Sequence, residues 1–152
     1  MSKPFVAVLL AVFVIAGTFF YASTSNAQKV VVYKSPTCGC CEKWIEHMEE
    51  AGYEIEIHDT NDMQPIKMQH GIVRQAQSCH TAIVDGYVIE GHVPARFIAQ
   101  MLEEKPDIKG LAVPGMPQGS PGMEGPNPVD YNVIALGDSG KASIYARVNA
   151  GE

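Results

Sequence analysis

Three cysteines occupy four consecutive positions early in the chain, in the run Cys38-Gly39-Cys40-Cys41. A cluster of this kind either binds a soft metal ion or carries out thiol redox chemistry, because the deprotonated thiol is both a metal ligand and a nucleophile. The chain has four cysteines in all, and the fourth is Cys79. If the fold brings Cys79 beside the first three, four sulfurs converge on one site.

The spacing of these cysteines leaves two kinds of chemistry open. Cys38 and Cys41 have the C-x-x-C spacing of a thiol-disulfide oxidoreductase, in which Cys38 would be the nucleophile and Cys41 the resolving thiol. Adjacent cysteines do not readily bridge each other without strain, so Cys40 would pair with Cys79 or remain a thiol. His80 follows Cys79 directly and adds an imidazole, either as a direct metal ligand or as a partner that orients a thiolate.

The elements around the cluster predict a β-α-β unit that places the cysteines at a strand-to-helix turn. The short β-branched run Lys29–Lys34 predicts a buried strand. A helix is expected from Cys41, ending at Gly52, and strict alternation predicts a half-buried strand over Tyr53–His58. The apolar stripe that marks the helix core consists of Trp44, Ile45 and Met48.

The middle of the chain predicts a hairpin followed by a helix. Thr81–Val84 and Tyr87–Glu90 read as strands joined by a tight Asp85-Gly86 turn, and a helix is expected over Pro94–Glu104. Within residues 59–77 we expect a short helix through residues 66–70 and a further turn over residues 72–77. The resulting order, β-α-β-α-β-β-α, is that of the α/β thioredoxin and glutaredoxin fold.

The last third of the chain has a different composition. Ten of the nineteen residues from Gly110 to Pro128 are glycine or proline, which argues against a helix or a central strand there. Because apolar residues are interspersed, we expect an ordered loop wrapped on the body. Alternation over Tyr131–Leu136 and Ala142–Val148 predicts an added C-terminal β-hairpin at a sheet edge.

The first 27 residues resemble a secretory signal peptide. Lys3 supplies a positive charge, Phe5–Tyr21 is almost wholly apolar, and Ser25-Asn26-Ala27 offers small residues for cleavage. A retained membrane anchor is the alternative, because about 17 apolar residues are near the lower limit for spanning a bilayer. Residues 28–152 are then one exported domain, with a periplasmic location expected.

The charge of residues 28–152 limits the possible partners. They carry ten of the 11 basic residues and all 17 acidic ones, a net charge of about minus seven. Such an acidic domain is a poor candidate for binding nucleic acid or an anionic membrane. We therefore expect neither nucleic acid nor, after cleavage of the signal peptide, a membrane as a partner.

Four blocks of sequence, in order, resemble a bacterial family of periplasmic, thioredoxin-like metal-binding proteins associated with copper resistance, the CopG type. The resemblance spans nearly all of residues 28–152. It implies copper handling with the clustered cysteines as ligands, with copper ions and other periplasmic copper-handling proteins as partners. The matching blocks are Tyr33–Cys41, Ser78–Ala82, Glu90–Ala95 and residues 110–124, which include Gly110–Pro117 and Gly119–Glu124.

The position that faces the cysteines favours metal binding. Thiol oxidoreductases of this fold place a cis-proline before the third strand, and here His80, with Cys79 beside it, is expected at that position. Cu(I) accepts two or three bridging thiolates, so the predicted ligands Cys38, Cys40, Cys41, Cys79 and His80 suit one or several Cu(I) ions. Structural zinc would need four ligands and leave Cys40 without a role, and an iron-sulfur cluster also fits the ligand types.

The remaining histidines and methionines have ordinary structural interpretations. We expect His92 to be a structural or capping residue, although a functional role stays open. Met116 and Met123 are expected to fill core space, with auxiliary copper contacts as the alternative. The histidines expected to be solvated are His47, His58 and His70.

Overall fold

The computed structural model describes residues 27–151. Its first unit is strand β1 (Lys29–Lys34), helix α1 (Gly39–Glu50) and strand β2 (Glu54–Asp59), and the two strands are parallel. The β-α-β prediction is therefore confirmed, with the cysteines at the turn from β1 to α1. The predicted signal peptide, residues 1–27, lies outside the described residues except for Ala27.

The hairpin at the centre of the chain forms where it is predicted. Strands β3 (Thr81–Val84) and β4 (Tyr87–Glu90) are antiparallel, and β3 also runs antiparallel to β1. Asp85 and Gly86 both have positive φ, 47° and 82°, as a tight two-residue turn of this type requires. Before the hairpin, the chain forms helix α2 (Gln64–Gln69) and a short 3-10 turn at Arg74–Ala76.

The rest of the chain extends this sheet to seven strands in the order β2-β1-β3-β4-β5-β6-β7. Helix α3 (Ala95–Glu104) leads to β5 (Gly110–Ala112), which is parallel to β4. Strands β6 (Tyr131–Leu136) and β7 (Ala142–Val148) form the predicted C-terminal hairpin, which ends at the sheet edge. The fold is mixed α/β, with three helices and seven strands in the described part of the chain.

Strand β5 corrects the prediction that Gly110–Pro128 contains no central strand. It lies between β4 and β6 and is fully buried. The glycine is required there, because a Cβ on Gly110 would lie 1.7 Å from the Val88 carbonyl oxygen. Three residues suffice for the pairing before the prolines begin, and the remainder is the expected ordered loop, with Ser120 fully buried.

The core packs helices α1 and α3 against the sheet. Trp44 is completely buried, as predicted, and its indole nitrogen donates a 2.9 Å hydrogen bond to the Val93 carbonyl. That bond fixes α1 relative to the segment that follows β4, so two parts of the chain near the cysteines are held together. In residues 27–151, no helix has the length and apolar character needed to cross a membrane.

Candidate metal and thiol redox site

The three clustered cysteines lie at the start of α1. Cys38 is the residue before the first helical position, and its carbonyl accepts hydrogen bonds from the backbone N–H groups of Cys41 (3.1 Å) and Glu42 (3.2 Å). A helix N-terminus favours thiolates, because its free N–H groups carry partial positive charge. In the structure Cys38 and Cys41 form a disulfide, whereas Cys40 is a free thiol.

Cys79 meets this cluster from the sheet, two residues before β3 begins. Its sulfur lies 3.6 Å from the Cys41 sulfur, and the sulfurs of Cys38 and Cys40 are 3.5 Å apart. One ligand atom from each of the four cysteines lies within 4.8 Å of all the others. The structure thus brings together the four cysteines that the sequence singled out, with Cys79 as the second free thiol.

His80 is the fifth residue expected at the site, and it lies beside Cys79. Its side chain is fully buried, with Nδ1 3.4 Å from the Cys79 sulfur. Its ring also packs against Trp44, with 4.4 Å between ring centroids. The Nε2 atom of His80 has no hydrogen-bond partner among the described residues, which is uncommon for a buried polar atom.

His92 joins the same cluster. Of the structural or capping role expected for it, the capping part is wrong, because Pro94 precedes α3 and no side chain caps that helix. His92 precedes Pro94 and α3, yet its fully buried ring points to Cys79, with Nε2 3.0 Å from the sulfur. Its Nδ1 atom lies 2.7 Å from the Pro121 carbonyl oxygen. A carbonyl only accepts hydrogen bonds, so Nδ1 carries the proton and Nε2 presents its lone pair to Cys79.

The hairpin register contains the signal that could have identified His92. Thr81 pairs with Glu90 in the antiparallel ladder. Extending this register two residues beyond the ladder on both strands places Cys79 opposite His92. Because the two-residue turn sets the register, the position of His92 was accessible from the sequence once the turn had been located.

Burial determines the protonation of the groups around Cys79. Burial raises the pKa of the Cys79 thiol to about 12, and the nearby Cys40 adds to the effect. Burial also lowers the pKa of His80 well below its usual value, with His92 and Lys67 contributing. The pKa of His92 is lowered by burial as well, although its hydrogen bond to Pro121 opposes the shift. Both imidazoles are consequently neutral at pH 7, the form that binds metals.

The Gly/Pro-rich loop crosses the start of α1 and holds His92 in place. Gly122 has a φ of 84°, and a Cβ there would lie 2.6 Å from the Cys40 carbonyl oxygen and 2.9 Å from the Trp44 nitrogen. Only glycine therefore allows the loop to approach α1 this closely. Met123 follows on the loop and is half-buried, whereas Met116 is 51% exposed.

The other histidines lie away from the cluster. The expectation that His47 is solvated is wrong, because its half-buried ring accepts a 3.0 Å hydrogen bond from the Ala95 N–H at the start of α3. His58 is exposed, as expected, and contacts Glu56. His70 lines a cleft of about 620 Å³ beside the Asp85-Gly86 turn, at the opposite end of the hairpin from Cys79.

The molecule is thus an α/β protein in which four sulfurs and two neutral imidazoles lie close to the N-terminus of α1. These donors form a candidate centre for soft metals or thiol redox chemistry. Residues 76–123, which include Cys79, His80 and His92, match the family model described as protein of unknown function DUF411. No match was found among curated protein sequences.

Solved structures extend the similarity to most of the chain. The form 2 structure of copper resistance protein CopG is 43% identical, with a TM-score of 0.76, and the match covers 80% of this chain and 98% of that one. The form 1 structure is 42% identical, also with a TM-score of 0.76, and covers 82% and 99%. The chain belongs to the CopG-type copper-resistance family.

Proposed function

We propose that the protein is a periplasmic copper-binding protein that holds Cu(I) through clustered thiolates and serves copper resistance or homeostasis. Its proposed ligands are Cys38, Cys40, Cys41, Cys79 and His80. The observation that carries the proposal is the mutual approach of the four sulfurs, all within 4.8 Å of one another. Similarity to a copper resistance protein supports the choice of metal. The bound copper would be sequestered, passed to another periplasmic copper-handling protein or changed in oxidation state.

The donor atoms favour Cu(I) over zinc. Zinc in a structural site takes four ligands, whereas the structure offers six donors in two groups that share Cys79. One group is Cys38, Cys40, Cys41 and Cys79, and the other is Cys79, His80 and His92. Thiolates that bridge several Cu(I) ions would use all of these sulfurs. We add His92 to the proposed ligands, because its Nδ1 bond to the Pro121 carbonyl is the kind of outer contact that orients metal-binding histidines.

The disulfide between Cys38 and Cys41 implies that copper binding depends on the redox state of the site. In the bridged form only Cys40 and Cys79 can provide thiolates. Reduction adds two electrons and supplies two more thiolates at the helix N-terminus. Conversely, closing the disulfide releases two electrons, enough to reduce two Cu(II) ions to Cu(I). Redox conversion of copper is therefore chemically balanced at this site.

The proposal also covers the fold that carries the site and the location of the protein. We infer a thioredoxin-like core formed by strands β1 to β4 with helices α1 and α3. The sheet order β2-β1-β3-β4 and the directions of these strands support it, and β5, β6 and β7 extend the sheet. In such a core, His80 takes the place of the cis-proline, and the bond before it is trans in this chain. Residues 1–27 would direct export to the periplasm.

Copper retention is the direct test. Residues 28–152 are reduced, loaded anaerobically with Cu(I) and titrated with a competing chelator, beside the Cys79→Ser variant. We expect tight Cu(I) binding in the parent and an affinity at least about tenfold lower in Cys79→Ser, because a metal ligand is lost. Met68→Leu is the control, since it removes the sulfur of a 74% exposed residue that lines the cleft beside the Asp85-Gly86 turn. Loss of all copper to the chelator, or an unchanged Cys79→Ser, would overturn the four-thiolate site.

The disulfide also favours a second candidate function, a periplasmic thiol-disulfide oxidoreductase. Cys38 and Cys41 are already bridged across the C-x-x-C spacing at a helix N-terminus, as such an enzyme requires. Under this alternative, the metal-free protein reduces insulin at a rate that Cys38→Ser abolishes. The copper proposal predicts no such activity above background. Zinc in the freshly purified protein, bound one to one, would instead indicate a structural zinc module.

A further inference from the structure

A buried ion pair contacts the segment that carries Cys79 and His80. Lys67 on α2 is 3% exposed, Glu90 at the end of β4 is fully buried, and the two side chains are in contact. Long charged side chains are rarely buried this deeply. A buried ion pair also contributes little stability compared with apolar residues of similar volume, so its presence calls for another role.

Glu90 forms hydrogen bonds with the residues on both sides of Cys79 and His80. One carboxylate oxygen accepts a 2.6 Å hydrogen bond from the backbone N–H of Ser78, and the other accepts a 2.7 Å bond from the Thr81 hydroxyl. Lys67 contacts the first oxygen and donates a 3.1 Å bond to the Thr81 hydroxyl oxygen. Cys79 and His80 are the two residues between these attachment points.

These contacts matter because the strand ladder stops before the site. The last registered pair joins Thr81 to Glu90, and a 3.0 Å bond from Gly91 N–H to the His80 carbonyl continues the hairpin by one step. Cys79 lies beyond that step. The bond from Ser78 to Glu90 therefore closes the segment on the far side of Cys79, together with a bond from the Ser78 hydroxyl to the Gly115 carbonyl.

We propose that Glu90, whose buried charge Lys67 balances, is a positioning residue that fixes the Cys79 sulfur against Cys41 by accepting the hydrogen bonds of Ser78 and Thr81. The pair is not among the grouped donor atoms, and it contacts the residues on either side of Cys79 and His80. Its biological meaning rests on the proposed copper site, whereas the geometry it controls, the 3.6 Å approach of two sulfurs, exists without metal. A metal-free measurement can therefore test it.

The test measures how readily two of the thiols meet. In a Cys38→Ser/Cys40→Ser background, Cys41 and Cys79 are the remaining thiols. Oxidised glutathione removes two electrons and two protons from them, so that one protein disulfide forms as the glutathione disulfide becomes two thiols. The equilibrium constant gives the effective concentration of Cys79 at Cys41.

Two neutral double variants are compared in this background, so that neither leaves a buried charge unpaired. Lys67→Met/Glu90→Leu removes both acceptors, and we expect the effective concentration to fall by about tenfold or more, because small misplacements have large effects. Lys67→Met/Glu90→Gln keeps an acceptor for the Ser78 N–H and should stay within about threefold of the parent background. Circular dichroism establishes that each variant is folded.

Ile98→Val is the control for destabilisation alone, since it trims a fully buried core residue on α3 and should leave the effective concentration unchanged. An unchanged value in the Leu double variant, or an equal fall in the Gln double variant, would overturn the positioning role. Failure of the parent protein to retain Cu(I) would instead overturn the proposed function. The thiol measurement would then still decide the role of Glu90.

Discussion

The two halves of the sulfur cluster are built in opposite ways. The α1 half, defined as Cys38, Cys40 and Cys41, is local. Its three sulfurs are close because the cysteines lie within four consecutive residues at the start of a helix. The sheet half, defined as Cys79, His80 and His92, is assembled from distant segments and held by Pro121, Glu90 and Lys67.

Their chemical states differ in the same way. The α1 half holds the disulfide and can change from bridged to open by a two-electron reaction. The sheet half is held by buried hydrogen bonds, and burial keeps its histidines neutral and its thiol protonated. Under the proposed function, the α1 half would change redox state, and the sheet half would hold its donor atoms in fixed positions.

Closing the disulfide should have the largest effect on copper binding. The bridged protein loses two of its four thiolates, and since disturbing one outer contact already costs 10–100-fold, we expect Cu(I) affinity to fall by more than about a hundredfold. Chelator competition on the two forms measures the ratio. Thiol counts by a colorimetric reagent, four before oxidation and two after, verify the state of each sample.

Cys38→Ser is the matched variant for this experiment, because it prevents the bridge and removes one ligand. Its affinity, measured under reducing conditions so that Cys41 cannot bridge the nearby Cys79, should lie between those of the two forms. If the bridged protein binds Cu(I) as tightly as the reduced protein, Cys38 and Cys41 do not provide ligands, and the comparison between the halves fails.

Replacing Gly122 tests the contact through which the loop joins the two halves. Gly122→Ala should destabilise the protein by about 2–3 kcal/mol, because the methyl group meets backbone atoms of Cys40 and Trp44 at a positive φ. Gly115→Ala is the matched control: its φ of 69° is also left-handed, but no atom lies within 4 Å of its Cβ position. Chemical denaturation of both variants gives the difference in the free energy of unfolding.

The control should lose only the cost of the left-handed conformation, about 1 kcal/mol. Gly122→Ala should also weaken Cu(I) binding, since movement of the loop releases His92 from the Pro121 carbonyl. Equal destabilisation of the two variants would show that the loop moves away from α1 without cost.

The sequence predicted the α1 half better than the sheet half, and the reason is physical. A strand, a turn and an amphipathic helix are local patterns, so the strand-to-helix turn around Cys38 could be located from spacing alone. The hairpin from Thr81 to Glu90 was also local, because the Asp85-Gly86 turn specifies its own register. That register contained the position of His92, although the residue was interpreted from its place before α3.

The remaining features depend on contacts between distant segments. The bond from His92 to Pro121 and the ion pair of Lys67 with Glu90 join residues that no periodic pattern relates. Similarly, a glycine count argued against a strand at Gly110, whereas the close approach to Val88 requires glycine there. Composition describes a segment on average, but one tight contact can decide its structure.

The smallest expected effect is on the pH dependence of stability, to which the sheet half should contribute through its two buried histidines. His80 and His92 have lowered pKa values in the folded protein, whereas in the unfolded chain they titrate near the ordinary value of about 6.5. Below that pH the unfolded chain binds more protons than the folded protein. Stability is therefore fully present above about pH 6.5 and falls as the pH is lowered, by up to about 1.4 kcal/mol per pH unit for each histidine.

Thermal or denaturant unfolding of the metal-free, disulfide-bridged protein at several pH values between 5 and 7 measures this slope. His92→Gln should reduce the slope, because one buried imidazole no longer has to remain neutral. Cys40→Ser is the control from the α1 half, and it should leave the slope unchanged, since both buried imidazoles remain. If His92→Gln and Cys40→Ser give the parent slope alike, the His92 imidazole is not held neutral by burial. The chemical contrast between the two halves would then rest on the disulfide and on the burial of Cys79 and His80.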